Sequence, residues 1–382
     1  MSYHLVIFRG RRQWFFASVV ALATIGCSAG LTEPHGPTGV GPSDNSTVLE
    51  PGGSGTGGEG TTQGDSVGDP LDGIPQHDDL DDPGSPAVKK SYLFGLEEAQ
   101  GPPDHFGFDR VTHWVRTSSI HGSEFVVAID WSVLDAAEGL SADRFADYAE
   151  KCFHASWHVF GGFAYDRFAV RVRADDENAG FSLSDVGITI GAADYAAPWG
   201  LEVVAHEMFH SWNGKFIRPE PDSSDNLFQW ETWIVEGATV YYSLRHMGFA
   251  LGEAEFEEGM SSRWETYRQY TGTSYDLSIS DLAAAIGPAP PGDPSTQVPT
   301  NMLYARGALV SYMLDFELAR NGHRLEEALG ALYLDALDDR RWTRQRLQEV
   351  LLAISGDDFE AFLIEWTDSN AGIPLTGTFE LR

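Results

Sequence analysis

His206, Glu207 and His210 lie in the segment Pro198-Trp-Gly-Leu-Glu-Val-Val-Ala-His-Glu-Met-Phe-His-Ser-Trp-Asn213. The segment reads as one helix, because Pro198 suits a first helical turn and Gly214 suits the position just past the end. Residues four apart project from one helical face, so both imidazoles can reach a single tetrahedral zinc. Glu207 lies about 100° further round the helix and can point at an open fourth position, where a reacting water would sit. A chance His-Glu-x-x-His in a chain this long has odds of about 1% from average residue usage. The spacing alone therefore favours a metal without excluding accident.

A third ligand narrows the choice. Trp230 to Arg245 predicts a second helix ending near Gly248, with Glu236 among the apolar residues Trp233, Ile234 and Val240. A carboxylate in such company is costly unless it is paired or metal-bound. Gly237, without a Cβ, would let this helix approach the first one closely. Two His and one Glu with an open position form a catalytic zinc set rather than a closed structural one. Glu231 is the competing carboxylate, and Glu236 is preferred for its apolar setting. Thr239, one turn after Glu236, could orient a ligand from behind.

Other candidates have plainer readings. His154 and His158 are also four apart on a predicted helix, but no acidic third ligand accompanies them, so a solvated helix face is expected. Cys152 falls on the apolar face of that helix and reads as a small core residue. Trp199, Trp212, Trp230 and Trp233 read as packing around the site. Lys215 and Arg218 pair either with the site's carboxylates or with an acidic surface.

The elements that must position these residues change character along the chain. Phe125–Trp131, Phe168–Val172 and Val186–Ile190 predict strands from their β-branched and aromatic content. Ser141–Phe160 predicts a helix carrying Phe145, Tyr148, Cys152 and Val159 on one face. From Pro198 onward the pattern is helical. Strands first and helices later predict an α+β fold, with a β-rich part over 91–197 and a helical zinc-binding part over 198–382.

Arg9, Arg11 and Arg12 precede an apolar run from Trp14 that closes on Ile25-Gly26-Cys27. Residues 1–27 thus predict a lipoprotein-type secretory signal, too short to span a bilayer. Cys27 would then carry a lipid that anchors the chain to a bacterial membrane on its extracytoplasmic side. Residues 28–90, rich in Gly, Ser, Thr, Pro and Asp, predict a disordered linker. The acidic run Asp78–Asp82 reads as solvated charge rather than a calcium site. Cys27 and Cys152 are the only cysteines, so a lipidated Cys27 leaves no disulfide, and stability must come from core burial and the metal. A net charge of −32 over 382 residues excludes a nucleic-acid partner, which needs clustered Lys and Arg.

Three separated blocks resemble one family. His206-Glu-Met-Phe-His-Ser-Trp-Asn-Gly-Lys-Phe-Ile-Arg-Pro219 is similar to the signature of the glycyl aminopeptidase family of zinc metallopeptidases. Trp233-Ile-Val-Glu-Gly-Ala-Thr-Val-Tyr-Tyr242 resembles that family's third-ligand helix. Tyr304-Ala-Arg-Gly307 resembles its Tyr-x-Lys-Gly segment, with Arg306 in place of Lys. The resemblance implies a gluzincin with a thermolysin-like catalytic domain, one zinc ion, peptide-bond hydrolysis and a role for Tyr304 in stabilising the oxyanion. Relatives carry a Glu that holds the substrate's free amine on the strand before the zinc helix, and Ser182 falls near that place. The family's preceding β-domain is expected to be reduced to about 91–135, with no PDZ-like tail. The expected activity is that of a zinc-dependent aminopeptidase or oligopeptidase on a peptide substrate. A neutral endopeptidase and a catalytically idle surface-binding lipoprotein are the rivals, and the presence of both Glu207 and Tyr304 argues against the second.

Overall fold

The computed structural model describes residue 110 and residues 113–381, except 137–140, 175–180, 185–186, 193–194, 196–197, 221–230 and 287–293. The signal and linker predicted over 1–90, Cys27 and Trp230 lie outside the described residues. No described helix is long and apolar enough to cross a membrane.

The chain enters through a hairpin. Strand β1 (His113–Ile120) pairs antiparallel with β2 (Ser123–Asp130) in unbroken register from His113↔Asp130 to Ile120↔Ser123. A short helix α1 (Trp131–Ala136) and the long α2 (Ala142–Phe160) then lead to β3 (Arg167–Arg173), which lies parallel to β2. Strands β4 (Phe181–Ser184) and β5 (Gly187–Gly191) complete a mixed sheet of order β1-β2-β3-β5-β4, with β5 parallel to β3 and antiparallel to β4. The buried runs of β2 and β5 explain why their sequences read as continuous apolar strands rather than as alternating ones.

Helix α2 begins where Ser141 takes the N–H of Arg144 and ends at Gly161, whose φ of 69° is the left-handed stop that glycine supplies without strain. Its apolar face carries Phe145, Ala149, Cys152 and Phe153 into the core. There Phe125, Phe153, Phe163, Phe168 and Trp212 form one aromatic cluster, and the Trp212 indole donates to the carbonyl of Gly162 at 2.7 Å. Cys152 is fully buried, and burial pushes its thiol up to about 12.

Helix α3 (Pro198–His210) packs on β5 and on α2. It stops three residues before the predicted end at Asn213. The chain tightens there: Trp212 and Asn213 both donate their N–H groups to the Phe209 carbonyl, and Gly214 turns at φ 90°. Next come a π-helical turn, Trp233–Ala238, and α4 (Thr239–Leu251) running on from it. Helices α5 (Glu253–Tyr270), α6 (Ile279–Ile286), α7 (Gln297–Arg320), α8 (Leu325–Leu337) and α9 (Arg344–Ser355) follow, with α5 and α7 packed against α4 and α7 also against the π turn. The strands-then-helices order and the α+β class agree with the sequence expectation.

Candidate metal and catalytic centre

The centre is built where α3, the π turn and α7 meet. His206 and His210 project from one face of α3, with Nε2 atoms 3.0 Å apart. Glu236 enters from the π turn, its Oε2 standing 3.5 Å from His206 Nε2 and 3.3 Å from His210 Nε2. Oε2 is buried, yet no hydrogen bond of good geometry reaches it. Glu231, the competing carboxylate, is not part of this cluster. Nitrogen and oxygen ligands at about 2.0–2.2 Å around a tetrahedral zinc stand roughly 3.3–3.5 Å from one another. Two edges of the triangle, at 3.3 and 3.5 Å, have that length, and the third, between the two imidazole nitrogens, is shorter at 3.0 Å.

The three donors are held from behind. His210 Nδ1 is 3.0 Å from the carbonyl of Asn213, which takes the Nδ1 proton and turns the Nε2 lone pair toward the triangle. The Asn213 side-chain amide donates to the carbonyls of Ile234 and Val235 at 2.7 and 3.2 Å and reaches Thr239 Oγ1 at 3.0 Å. Thr239 in turn donates to Val235 O at 2.6 Å. Thr239 therefore does not orient a ligand directly, as its sequence position suggested. It braces the turn that carries Glu236, and Asn213 couples that turn to α3. Asn213 stood in the signature segment, but spacing alone gave it no role.

The π turn sets Glu236 against α7. A Cβ on Gly237 would stand 2.4 Å from Gly307 Cα and 2.5 Å from Gly307 C. The close approach expected of Gly237 is thus made with α7, not with α3, because the turn's small face is directed at the one glycine in that stretch of α7. The crossing brings in Tyr304, one turn before Gly307. Its ring stacks near that of His206, with centroids 5.9 Å apart, and its hydroxyl faces the Glu236 carboxylate. Arg306 points elsewhere: its guanidinium is fully buried and donates to the carbonyls of Ser369 and Ala371 at 2.8 and 3.0 Å. Gly237→Ala should lower stability by about 1–3 kcal/mol through overpacking against backbone. Gly372→Ala, with no atom near its added Cβ, should leave the thermal midpoint unchanged. Calorimetry of both variants checks the contrast.

The electrostatics favour a cation at the triangle. Burial works against charge on His210, but the Glu236 carboxylate and the nearby Glu207 lift it to about 9. Burial would also raise Glu236, yet the two imidazoles hold it well below the usual carboxylate range. Burial, with Glu236 and Glu207 adding to it, pushes the Tyr304 phenol well above its ordinary value, so the hydroxyl keeps its proton. Glu207, next to His206 on α3, is thus close enough for its charge to act on both His210 and Tyr304. Trp212 and Trp233 are buried in the core around the site, as read from the sequence. Arg218 donates from Nε to the carbonyl of Lys215, which ties the loop to itself.

This arrangement of helices, turn and donors can be set beside known proteins. Residues 199–310 match the M61 glycyl aminopeptidase family. That M61-like stretch contains both histidines, Glu207, Glu236 and Tyr304. An aminopeptidase N family protein from Idiomarina loihiensis shares the fold, with a TM-score of 0.54, 15% identity and 69% of this chain covered. A zinc metallopeptidase of the M1 family from Deinococcus radiodurans aligns with a TM-score of 0.47 and 17% identity over 69% of this chain. Leukotriene A4 hydrolase from Saccharomyces cerevisiae aligns with a TM-score of 0.48 and 14% identity over 70% of this chain. The chain spans 48%, 53% and 40% of these three proteins, respectively. No protein of curated function matches the sequence significantly. The M61-like stretch thus sits in an α+β fold shared with the aminopeptidase N family protein.

Proposed function

We propose that the chain is a zinc-dependent peptidase of aminopeptidase or oligopeptidase type, holding one zinc ion through His206, His210 and Glu236. The observation that carries this reading is the triangle of two imidazole nitrogens and a buried carboxylate oxygen that lacks a hydrogen bond of its own. A buried acceptor left without a donor is costly, and a divalent cation removes that cost. The donor set of two nitrogens and one oxygen suits zinc.

Bound there, zinc supplies a Lewis acid that polarises a scissile carbonyl and makes water acidic at neutral pH. Glu207 takes the proton of the attacking water and delivers it to the leaving amine. Tyr304 donates its phenolic hydrogen to the carbonyl oxygen as that atom gains negative charge. Asn213 keeps His210 in the tautomer whose Nε2 can bind the metal. Strand β4 lies at the edge of the sheet beside α3, and a sheet edge offers unpaired main-chain groups to an extended peptide.

Ser182, on β4 where relatives carry an amine-binding Glu, favours a second reading in which the substrate's free amine is not required. One experiment addresses both readings. The full chain should contain one equivalent of zinc at this centre, cleave short peptides, lose activity to a chelator and regain it with zinc. Absence of metal or of chelator-sensitive cleavage would overturn the proposal. Equal rates on N-terminally blocked and free peptides would select endopeptidase action.

A further inference from the structure

A second cluster of metal-binding side chains lies outside the catalytic centre. His154 and His158, read from sequence as a solvated helix face, are joined by His121 from the β1–β2 turn. His121 Nε2 is 2.6 Å from His154 Nδ1, and His158 Nε2 is 3.0 Å from His154 Nε2. One nitrogen from each of the three rings lies within 4.8 Å of the others. Among the described residues, only this trio and the catalytic one bring three such groups together.

The trio is mounted on rigid elements. His121 and Gly122 form a two-residue hairpin loop, with φ of 47° and 82°. Positive φ at both positions marks a type I′ turn, for which Asn-Gly is the favoured pair. Histidine, like Asn and Asp, is among the side chains that tolerate positive φ better than most. The conformation lays its ring flat on Trp157, with centroids 3.8 Å apart and planes 12° apart. The hairpin register is unbroken up to Ile120↔Ser123, so the turn cannot slide. On the other side, the buried face of α2 fixes the direction in which His154 and His158 project.

The bland account is a chain of ring-to-ring hydrogen bonds. It leaves the crowding unexplained, because His121 and His154 are exposed and water could satisfy them singly. Three rings that each attract a proton are gathered here, with one nitrogen of each within 4.8 Å of the others. A shared cation accounts for the crowding. Three neutral imidazoles select zinc, copper, nickel or cobalt over calcium or magnesium, which prefer oxygen ligands.

We propose that His121, His154 and His158 form a second binding site for a zinc-class divalent ion, one that clamps the β1–β2 hairpin to helix α2. His154 and His158 repeat the four-residue spacing of His206 and His210, but Ala155 stands where the catalytic segment has Glu207. Ala155 cannot act as a base, so the site is assigned a binding role.

The test is a metal count on the full chain after equilibration with micromolar zinc and removal of free ion. The parent chain should retain one ion more than either His121→Asn or His154→Ala. Asn suits the turn, so His121→Asn should fold without difficulty. Peptidase activity should be unchanged in both variants. Added zinc should raise the melting temperature of the parent further than that of His121→Asn. Equal counts in the parent and both variants would overturn the proposal, as would loss of the ion from only one variant. A failure of the catalytic centre to hold zinc would lower all counts alike and leave this difference intact.

Discussion

Glu207→Gln should lower kcat by about 10²–10⁴-fold, the range that a positioned general base supplies, while the protein keeps the zinc proposed at the His206–His210–Glu236 triangle. The two halves of this expectation rest on different observations. The three donors that face one another are His206 Nε2, His210 Nε2 and Glu236 Oε2, and Glu207 is not among them. Removing its charge therefore leaves those three donors in place. Gln has nearly the same shape and cannot accept the water's proton, so the chemical step fails while substrate still binds. Steady-state kinetics paired with elemental analysis makes the measurement. A variant within twofold of the parent in kcat would remove Glu207 from the mechanism. A variant without metal would show that the carboxylate supports the ligand set instead.

The features legible in sequence were those written locally. His206 and His210 are four apart on one helix, and helical geometry alone puts them on a common face. The three predicted strands are β2, β3 and β5, whose buried runs gave them an unmistakable apolar content. Strand β1 was not singled out, because His113-Trp-Val-Arg-Thr-Ser-Ser-Ile120 mixes polar and apolar residues on a partly exposed outer strand. Strand β4 is four residues long and carries too little pattern to read. The early stop of α3 depends on the Phe209 carbonyl taking two N–H groups, a choice no propensity encodes.

What escaped the sequence depends on contacts between distant segments. The π turn under Glu236 is held by the Asn213 amide, which reaches across 21 residues to Ile234 O. Gly237 signalled a close approach, but its partner, Gly307, lies in a helix that sequence could not place against it. The histidine cluster is the clearest case. His121 precedes His154 by 33 residues, with all of β2 between them, and only the sheet register brings the turn to the helix. A pattern search confined to one helix finds two ligands there and stops.

Tyr304→Phe should lower kcat by about 10²–10³-fold, the cost of losing one preorganised donor to a developing oxyanion, with little change in KM. The hydroxyl faces the Glu236 carboxylate, and the ring packs near His206. Phe keeps that ring, so the helix crossing at Gly237 and Gly307 should survive, and with it the position of Glu236. Burial, with the charges of Glu236 and Glu207 adding to it, raises the phenol's pKa and so favours the protonated, donating form. Equal losses in kcat and kcat/KM identify an interaction made only in the transition state. A rise in KM with kcat preserved would instead make Tyr304 a ground-state contact to substrate, and the oxyanion would need another donor.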